Sequence, residues 1–456
     1  MHLACHVLSF ALYAGHCSMA ELQAPACSVL LYYKYVRIAD AAEEAAYQES
    51  LCARLGLHGR IKVAPEGING SVAGPTAACD EYVSEMSRHA LFGGIDWKRS
   101  VGPSDGSNPF PALKVSLEEE IVSSGPAMKG VDPCKGGLHL TPQEFHDALR
   151  DMDPSETALL DVRNHYEVNI GRFEHAVDPK TKTFLEWSQY VDRNIDDLRN
   201  KPGGVLMYCT GGIRCEKASA YLKARGVNNV RQLKGGIHRY LEAFPGKDEC
   251  LFRGKNFVFD QRGGEAQRGG REDDVVGRCE RCAAPYDKVM PDRVCSVCRD
   301  LVVCCDSCYT AMRGESYCRE HAWLEGAFCA DTSRYSLEDL LAQSAALQAH
   351  VQRLLAEDAK ANRKRRRTLH KQLDLLQRTI GSRQELAARA ESSGVERGRG
   401  MTQAGVVGMA PEDRAVRVEQ VPEGYCPACR SRHCRSLCDF KKQASAVGPL
   451  PRAHQT

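Results

Sequence analysis

Four pairs of soft metal ligands within residues 279–321 restrict what this stretch of the chain can fold into. Each pair has two residues between its members, and the ligands are Cys279, Cys282, Cys295, Cys298, Cys305, Cys308, Cys318 and His321. Zinc binds four such side chains in a tetrahedron, so eight ligands fit two structural zinc ions. Because a segment this short buries little apolar surface, we expect metal binding to supply most of its folding free energy.

The order of these ligands leaves their pairing open. Sequential and cross-braced arrangements both use all eight side chains, and Cys304, beside Cys305, is an alternative ligand. Disulfides would also explain clustered cysteines, but disulfide scaffolds are usually small and secreted, whereas this chain has 456 residues. A tighter cluster near the end of the chain predicts either one further zinc ion or an unliganded tail. Its members are Cys426, Cys429, Cys434 and Cys438.

The residues before this Cys-rich module (279–321) predict two domains of different architecture. Over residues 28–122 the predicted order is strand–helix–strand–strand–helix–strand, with helices at 39–54 and 76–89. This order is typical of a ferredoxin-like α+β domain, and the sequence PEGING at 65–70 predicts a turn inside it. Strands and helices then alternate over residues 138–246, which predicts an α/β domain with a parallel sheet covered by helices.

Apolar residues at helical spacing predict a helical region at 336–390, after the Cys-rich module. They are Leu340, Leu347, Val351 and Leu354, followed by Leu369, Leu373, Leu376 and Ile380. Such stripes are typical of packing, and they would also allow self-association. Between them lies a basic segment that consists of Arg363, Lys364, Arg365, Arg366 and Arg367. It predicts contacts with nucleic-acid phosphates, or alternatively a solvated helix face or a nuclear import signal.

The net charge excludes one class of protein, and residues 1–27 indicate the cell compartment. With 61 Lys and Arg against 59 Asp and Glu, the formal net charge is +2, which excludes a globally basic nucleic-acid coat protein. Residues 1–27 form an extension, and Met19 is an alternative start. The apolar run Val7–Ala14 is too short to cross a bilayer and lacks the preceding Lys or Arg of a signal peptide. We therefore expect a cytoplasmic protein that does not contact membranes, with an organelle as the alternative.

The strongest catalytic signal is the Cys209 loop, residues 209–214, which lies between a predicted strand and a predicted helix. Cys209 begins it and Arg214 ends it, and the residues between them are Thr210, Gly211, Gly212 and Ile213. Glycine-rich backbone amides, a helix N-terminus and the Arg214 charge all stabilise a thiolate, which predicts Cys209 as a nucleophile. Cys215 is either a packing residue or a resolving thiol. No glycine-rich dinucleotide motif follows a strand, so neither a flavin nor a nicotinamide is expected.

Several motifs taken together resemble one protein family. The Cys209 loop and the sequence LDVR at 160–163 resemble rhodanese domains. The motifs that extend this match are YKYVRIAD at 33–40, PEGING at 65–70, DVRNHYE at 161–167, YCTGGIRCEKASA at 208–220, QLKGGI at 232–237 and GKNFVFD at 254–260. Over residues 32–321 the chain is similar to the rhodanese-domain tRNA uridine hydroxylases, a UPF0176-like family.

That resemblance implies oxygen-dependent hydroxylation of the wobble uridine of tRNA to 5-hydroxyuridine. It implies tRNA as the partner, molecular oxygen as a co-substrate, Cys209 as the essential cysteine and Arg214 as the loop arginine. The Cys-rich module falls within the resemblance, although its Cys318-x2-His321 ending departs from the all-Cys ending of bacterial members.

Two alternatives to the hydroxylase remain open from the sequence. The six-residue loop is the size found in rhodanese sulfurtransferases, so the protein could move sulfane sulfur through a Cys209 persulfide. A related phosphatase would need one more loop residue to surround a phosphate group. The second alternative is a non-catalytic module that binds RNA or protein.

Overall fold

The computed structural model describes residues 27–103, 105–245, 249–260, 268–269, 275–358, 360 and 362–392. The strands in this part of the chain are β1 (Cys27–Tyr35), β2 (His58–Ala64), β3 (Gly67–Pro75), β4 (Lys98–Val101), β5 (Leu113–Leu117), β6 (Leu138–Leu140), β7 (Thr157–Asp161), β8 (Gly171–Phe173), β9 (Gly204–Tyr208), β10 (Val230–Leu233), β11 (Phe252–Lys255) and β12 (Arg268–Gly269). The helices are α1 (Ala41–Arg54), α2 (Thr76–Arg88), α3 (Pro142–Arg150), α4 (His165–Ile170), α5 (Trp187–Arg199), α6 (Ile213–Ala224), α7 (Gly236–Ala243), α8 (Asp306–Ala311), α9 (Leu337–Asp358) and α10 (Arg363–Ser392). Residues 1–26 of the predicted extension and the cluster of Cys426, Cys429, Cys434 and Cys438 lie outside the described residues.

The N-terminal sheet has the strand order β4-β1-β3-β2-β5 and packs α1 and α2 against one face. Its first four strands are antiparallel, and β5 is added parallel to β2. This order confirms the predicted ferredoxin-like arrangement. Along β1, Leu30 and Tyr32 are buried beneath the helices. Because side chains alternate along a strand, Leu31, Tyr33 and Tyr35 lie on the opposite face, which contacts the second domain.

The turn predicted for PEGING is shorter than expected. Only Pro65 and Glu66 connect β2 to β3, because residues 67–70 already pair with β1 and β2. Glycine fits this strand because the Tyr32 ring occupies the space that a side chain would fill. A Cβ at Gly70 would lie 2.3 Å from the Tyr32 ring. The turn prediction was therefore wrong for the last four residues of the motif.

A four-stranded parallel sheet with the order β6-β10-β9-β7 forms the second domain. On one face, Trp187 of α5 packs with Met207 of β9, and α6 belongs to the same core. On the other face, Phe145 of α3 and Tyr240 of α7 pack with Leu206. Cover on both faces explains why β7 and β9 are fully buried and mostly apolar, and it confirms the predicted α/β domain. A small sheet of β12, β11 and β8 lies beside it.

The Cys-rich module contacts the second domain directly. Tyr166 of α4 packs in one apolar cluster with Val294 and Val303 of the module. Lys182 Nζ lies 3.2 Å from Asp300 Oδ2, which adds a charged contact across the same junction. The module is therefore attached to the short helix α4, whose role in the Cys209 loop is described below.

Helices α9 and α10 form a helical hairpin that packs on the Cys-rich module. All eight apolar residues of the two predicted stripes are buried in one cluster with module residues such as Cys295 and Tyr317. The stripes are thus used for packing within the chain rather than left free for self-association. The large apolar residues that stay exposed on the hairpin are Leu341, Leu355, Leu375 and Leu386. Among the described residues, no helix is long and apolar enough to cross a membrane.

Candidate functional site

Cys209 lies between β9 and α6 and is fully buried. Its Sγ atom accepts a hydrogen bond from the Gly212 backbone N–H at 3.1 Å. Gly212 has a φ of 100°, a left-handed conformation that favours glycine and directs this amide toward the sulfur. The loop is anchored from α7, where Ile237 N–H donates to the Cys209 carbonyl and His238 N–H to the Thr210 carbonyl.

The surroundings of Cys209 favour its thiolate. Burial alone would raise the pKa of this thiol, but the Cys215 thiol donates to the sulfur and Arg214 adds a positive charge. With two backbone N–H groups, these interactions lower the pKa of Cys209 to about 6. Burial and the bond to Cys209 raise the pKa of Cys215 well above its usual value. At neutral pH, Cys209 is therefore anionic, and Cys215 stays protonated as its donor.

A buried carboxylate holds Arg214 in place. Arg214 Nη1 lies 2.6 Å from Glu167 Oε2 and Nη2 lies 2.9 Å from Oε1, a two-point contact between buried groups. Thr210 Oγ1 also donates to Glu167 Oε1 at 3.1 Å. Burial raises the pKa of Glu167, but the Arg214 charge and hydrogen bonds lower it below its usual value. Removing one member of such a pair leaves an uncompensated buried charge and costs about 3–5 kcal/mol.

Glu167 belongs to α4, and sequence reasoning did not assign it a role. Its Oε2 atom also accepts a hydrogen bond from the backbone N–H of Asn164, just before the helix begins. The spacing Asn-x-x-Glu at a helix start was the available signal for this local contact. Nothing in that spacing indicates that the same carboxylate reaches an arginine 47 residues further along the chain.

The N-terminal sheet covers the Cys209 loop with the face that carries Leu31, Tyr33 and Tyr35. Tyr33 Oη donates to Glu216 Oε1 at 2.9 Å, and Tyr35 Oη to the Ile213 carbonyl at 3.4 Å. A Cβ at Gly212 would lie only 2.9 Å from Tyr33 Oη. The second loop glycine is thus required by the close approach of another domain as well as by its backbone conformation.

Two sets of salt bridges link the two domains. The buried Lys217 Nζ of α6 lies 2.8 Å from Glu66 Oε1 and 2.9 Å from Glu120 Oε1. Arg239 Nη2 of α7 lies 2.5 Å from Asp96 Oδ1. Glu66 comes from PEGING and Lys217 from the motif that follows Cys209, so two motifs far apart in sequence meet here. The sequence alone did not indicate either contact, because each depends on how the domains pack.

The eight predicted metal ligands come together as two sets of four. One set is Cys279, Cys282, Cys305 and Cys308, and the other is Cys295, Cys298, Cys318 and His321, with the ligand atoms of each set within 4.8 Å of one another. The first pair thus joins the third and the second joins the fourth, which is the cross-braced arrangement. Cys304 is buried but belongs to neither set, so Cys305 takes the ligand position.

The spacing of the ligand atoms fits tetrahedral zinc. With zinc–sulfur bonds of about 2.3 Å, two thiolates in a tetrahedron lie about 3.8 Å apart. Cys282 Sγ lies 3.7 Å from Cys305 Sγ, and Cys298 Sγ lies 3.8 Å from Cys318 Sγ. These cysteines are free thiols, so the separations do not arise from disulfides. The donor set and its geometry therefore suit one zinc ion in each group.

The basic segment forms the first turn and a half of α10. Arg363, Lys364, Arg365 and Arg367 are exposed, Arg366 is half-buried, and the first turn contains no acidic residue. Cations at a helix N-terminus oppose the helix dipole, each by about 0.3–1 kcal/mol. This placement therefore does not stabilise the helix. A bound polyanion would offset the unfavourable interaction between these cations and the helix dipole.

Three domain families match the chain in order. They are the UPF0176 acylphosphatase like domain at residues 27–121, the Rhodanese-like domain at 141–243 and the Rhodanase C-terminal domain at 253–322. Together with the sheet orders and the cysteine loop, these matches define a rhodanese-type protein with an acylphosphatase-like N-terminal domain.

Relatives that align over most of their own length identify one family within this class. The chain is 38% identical over 292 residues to the tRNA uridine(34) hydroxylase of Rhizobium leguminosarum bv. trifolii, covering 64% of this chain and 89% of that protein. It is 37% identical over 306 residues to the Corynebacterium diphtheriae enzyme of the same name, covering 64% and 96%. The chain belongs to the tRNA uridine(34) hydroxylase family.

A plant relative is longer than the part that matches. The chain is 37% identical over 318 residues to "Rhodanese-like domain-containing protein 6" of Arabidopsis thaliana. That alignment covers 64% of this chain and 53% of the plant protein, so the chain spans about half the length of this relative.

Proposed function

We propose that this protein hydroxylates uridine 34 of tRNA to 5-hydroxyuridine, with molecular oxygen as co-substrate and Cys209 as the catalytic cysteine. The observation that carries the proposal is the fully buried Cys209, whose sulfur accepts a hydrogen bond from Gly212 N–H in a loop that the N-terminal sheet covers. Family membership supports the substrate, and the Arg214–Glu167 pair supports the role of the loop in stabilising negative charge. In this role Thr210, Gly211, Gly212 and Ile213 shape the loop, and Cys215 donates to the sulfur.

Burial of Cys209 has a consequence for how the tRNA binds. The uracil ring reaches the sulfur only after the N-terminal sheet and the Cys209 loop separate, because the sheet covers the loop. A nucleotide in an unpaired anticodon loop can leave its stack at a cost of a few kcal/mol, less than a paired base requires. The proposal therefore needs an extruded uridine and an opening between the two domains.

We further propose that the Cys-rich module binds two structural zinc ions in the cross-braced pairing. Four ligands fill each site, so neither ion would keep an open position for substrate, which is typical of structural zinc. Residues 279–321 gain their rigidity from these ions, and the module in turn supports α4 through Tyr166.

Sulfur transfer through a Cys209 persulfide is the second candidate function. The six-residue loop with convergent N–H groups favours it, because the same groups that stabilise a thiolate also stabilise a persulfide anion. The N-terminal sheet over the loop and the Cys-rich module favour the hydroxylase over a simple sulfurtransferase.

Nucleoside mass spectrometry of tRNA separates the two functions. The host is a bacterial strain stripped of its own uridine hydroxylation, carrying either this protein or an empty vector. The hydroxylase predicts that 5-hydroxyuridine returns only with the protein. If it does not return while the purified protein transfers sulfur from thiosulfate to cyanide, the sulfurtransferase replaces the hydroxylase.

We propose that the basic segment contacts tRNA phosphates. Replacing Arg363 and Arg367 together with glutamine should weaken tRNA binding about tenfold and reduce the slope of log Kd against log salt by about 1.4–1.8, because each lost phosphate contact removes one counterion release. A filter-binding or fluorescence titration at several salt concentrations measures both quantities. The matched control replaces Lys371 and Arg378, two exposed cations further along α10, with glutamine. Equal effects from the two double variants would contradict a specific role for the segment.

A further inference from the structure

The N-terminal sheet brings a second positive charge to the Cys209 loop. Lys98 begins β4 and pairs with Leu31 of β1, so their side chains share one face of the sheet. That face contacts the loop, because a Cβ at Gly211 would lie 3.1 Å from Leu31 Cδ2 and 3.9 Å from Lys98 Cδ. The next residue, Arg99, points to the opposite face and forms an ion pair with Asp80 of α2.

The Lys98 ammonium is buried, and Nζ donates to the backbone carbonyl of Asp96 at 3.3 Å as well as pairing with its carboxylate. Its side chain is 1% exposed, and Nζ lies 2.9 Å from Asp96 Oδ2, a carboxylate that is 44% exposed and shared with Arg239. Nζ also lies 5.2 Å from the centre of the Tyr33 ring. Burying a lysine beside a carboxylate that stays in water costs free energy unless another anion lies near. The Cys209 loop carries such an anion in its thiolate.

We propose that Lys98 is a positioning residue for the Cys209 sulfur and supplies, from the N-terminal domain, a second positive charge that keeps this sulfur anionic. The proposal rests on the proposed function only in taking Cys209 as the reactive group. It makes the charge of Cys209 before tRNA binds a property of two domains, because Lys98 lies at the loop only while the sheet covers it.

The charges around Lys98 and Cys209 are consistent with this role. Burial lowers the pKa of Lys98, while Asp96 and the Cys209 thiolate oppose that change. The titratable and charged groups around Cys209 and Lys98 come from α4, α6 and α7 and from the N-terminal sheet. They are Glu167, Arg214, Cys215, Glu216, His238, Arg239, Tyr33, Tyr35, Asp96 and Lys98. Burial raises the pKa of both tyrosines well above the usual value, so they are neutral where Cys209 titrates.

The titration of Cys209 itself tests the proposal without any tRNA. The ultraviolet absorbance of the thiolate is followed against pH in the full chain, and the curve of the Cys209→Ala form is subtracted for every variant. Lys98→Gln, which keeps a polar group near Asp96, should move the midpoint upward by about one pH unit, because a nearby positive charge is lost. Lys98→Arg should keep the midpoint close to that of the wild type, since it keeps the positive charge.

Arg99→Gln provides the matched control, because it removes a cation from the adjacent position but from the opposite face of the sheet. Its midpoint should equal that of the wild type. An unchanged midpoint in Lys98→Gln, or an equal shift in Arg99→Gln, would overturn the proposal. If Lys98→Gln does not fold, Lys98→Met removes the charge in an apolar form and is judged by the same midpoint. Loss of hydroxylation with an unshifted midpoint would count against Lys98 acting through the sulfur while leaving the hydroxylase intact.

Discussion

Replacing Cys209 with serine should abolish 5-hydroxyuridine formation, whereas replacing Cys215 with serine should leave most of it. A serine hydroxyl at position 209 stays neutral near pH 7, so the anion that Gly212 N–H and Arg214 stabilise is no longer formed. At position 215 the relevant group is a donor, and a serine hydroxyl can still donate to the Cys209 sulfur. Each substitution replaces one side-chain sulfur with oxygen, in two thiols that lie close together, so each is a control for the other.

Nucleoside mass spectrometry in the hydroxylation-deficient host measures the product for both variants. We expect a decrease of more than a hundredfold for Cys209→Ser and less than tenfold for Cys215→Ser. Cys215→Ala should fall between them, because it removes the hydrogen bond that helps to lower the pKa of Cys209. A Cys209→Ser protein that folds and still forms 5-hydroxyuridine would contradict a catalytic Cys209. A complete loss in Cys215→Ser would instead indicate a resolving thiol, which the sequence left open.

The pH dependence of stability follows from the same sulfur. The pKa of Cys209 is about 6 in the folded protein and about 8.5 for a free thiol. Between these values the unfolded chain binds more protons than the folded one, so the free energy of unfolding rises with pH across this window. The contribution is fully present above pH 8.5 and is lost as the pH falls through 6.

The sequence predicted those parts of the molecule that are local in the chain. Strand and helix order follow from hydrophobic spacing and turn residues, and the Cys209 loop follows from glycines and an arginine placed between a strand and a helix. The residues of the two candidate metal sites follow from regular spacing. The pairing of these residues could not be predicted from their spacing, because Cys282 meets Cys305 only after the chain between them has folded back.

The parts that could not be predicted depend on packing between domains. Glu167 and Lys98 reach the Cys209 loop from separate elements, and no local pattern marks either as part of the site. Gly70 illustrates the same limit inside one domain. A glycine in a Gly-rich hexapeptide predicts a turn, but here it provides room for the Tyr32 ring in a paired strand.

The two candidate metal sites take their ligand pairs alternately along the chain, so double substitutions distinguish the two ways of pairing them. Replacing Cys282 and Cys298 with serine together should remove both zinc ions, because each substitution falls in a different site. Replacing Cys282 and Cys308 together should remove only one, because both belong to the same site. If consecutive pairs formed the sites instead, the Cys282–Cys298 double variant would lose one ion and the Cys282–Cys308 double variant would lose both. Both double variants lose two thiolates, so the difference between them reports the pairing alone.

Bound zinc is measured by elemental analysis of the purified full chain, with Cys304→Ser as a control that should keep both ions. Structural zinc contributes about 10–16 kcal/mol to the folding of small modules, so loss of both ions should unfold residues 279–321. Unfolding there would remove Val294 and Val303 from Tyr166 and so loosen α4, the helix that holds Glu167 against Arg214. We therefore expect the protein without zinc to exchange α4 amide protons faster and to lose part of the Cys209 thiolate at pH 7. Two retained zinc ions in the Cys282–Cys298 double variant would contradict the cross-braced sites and, with them, this route from the Cys-rich module to the Cys209 sulfur.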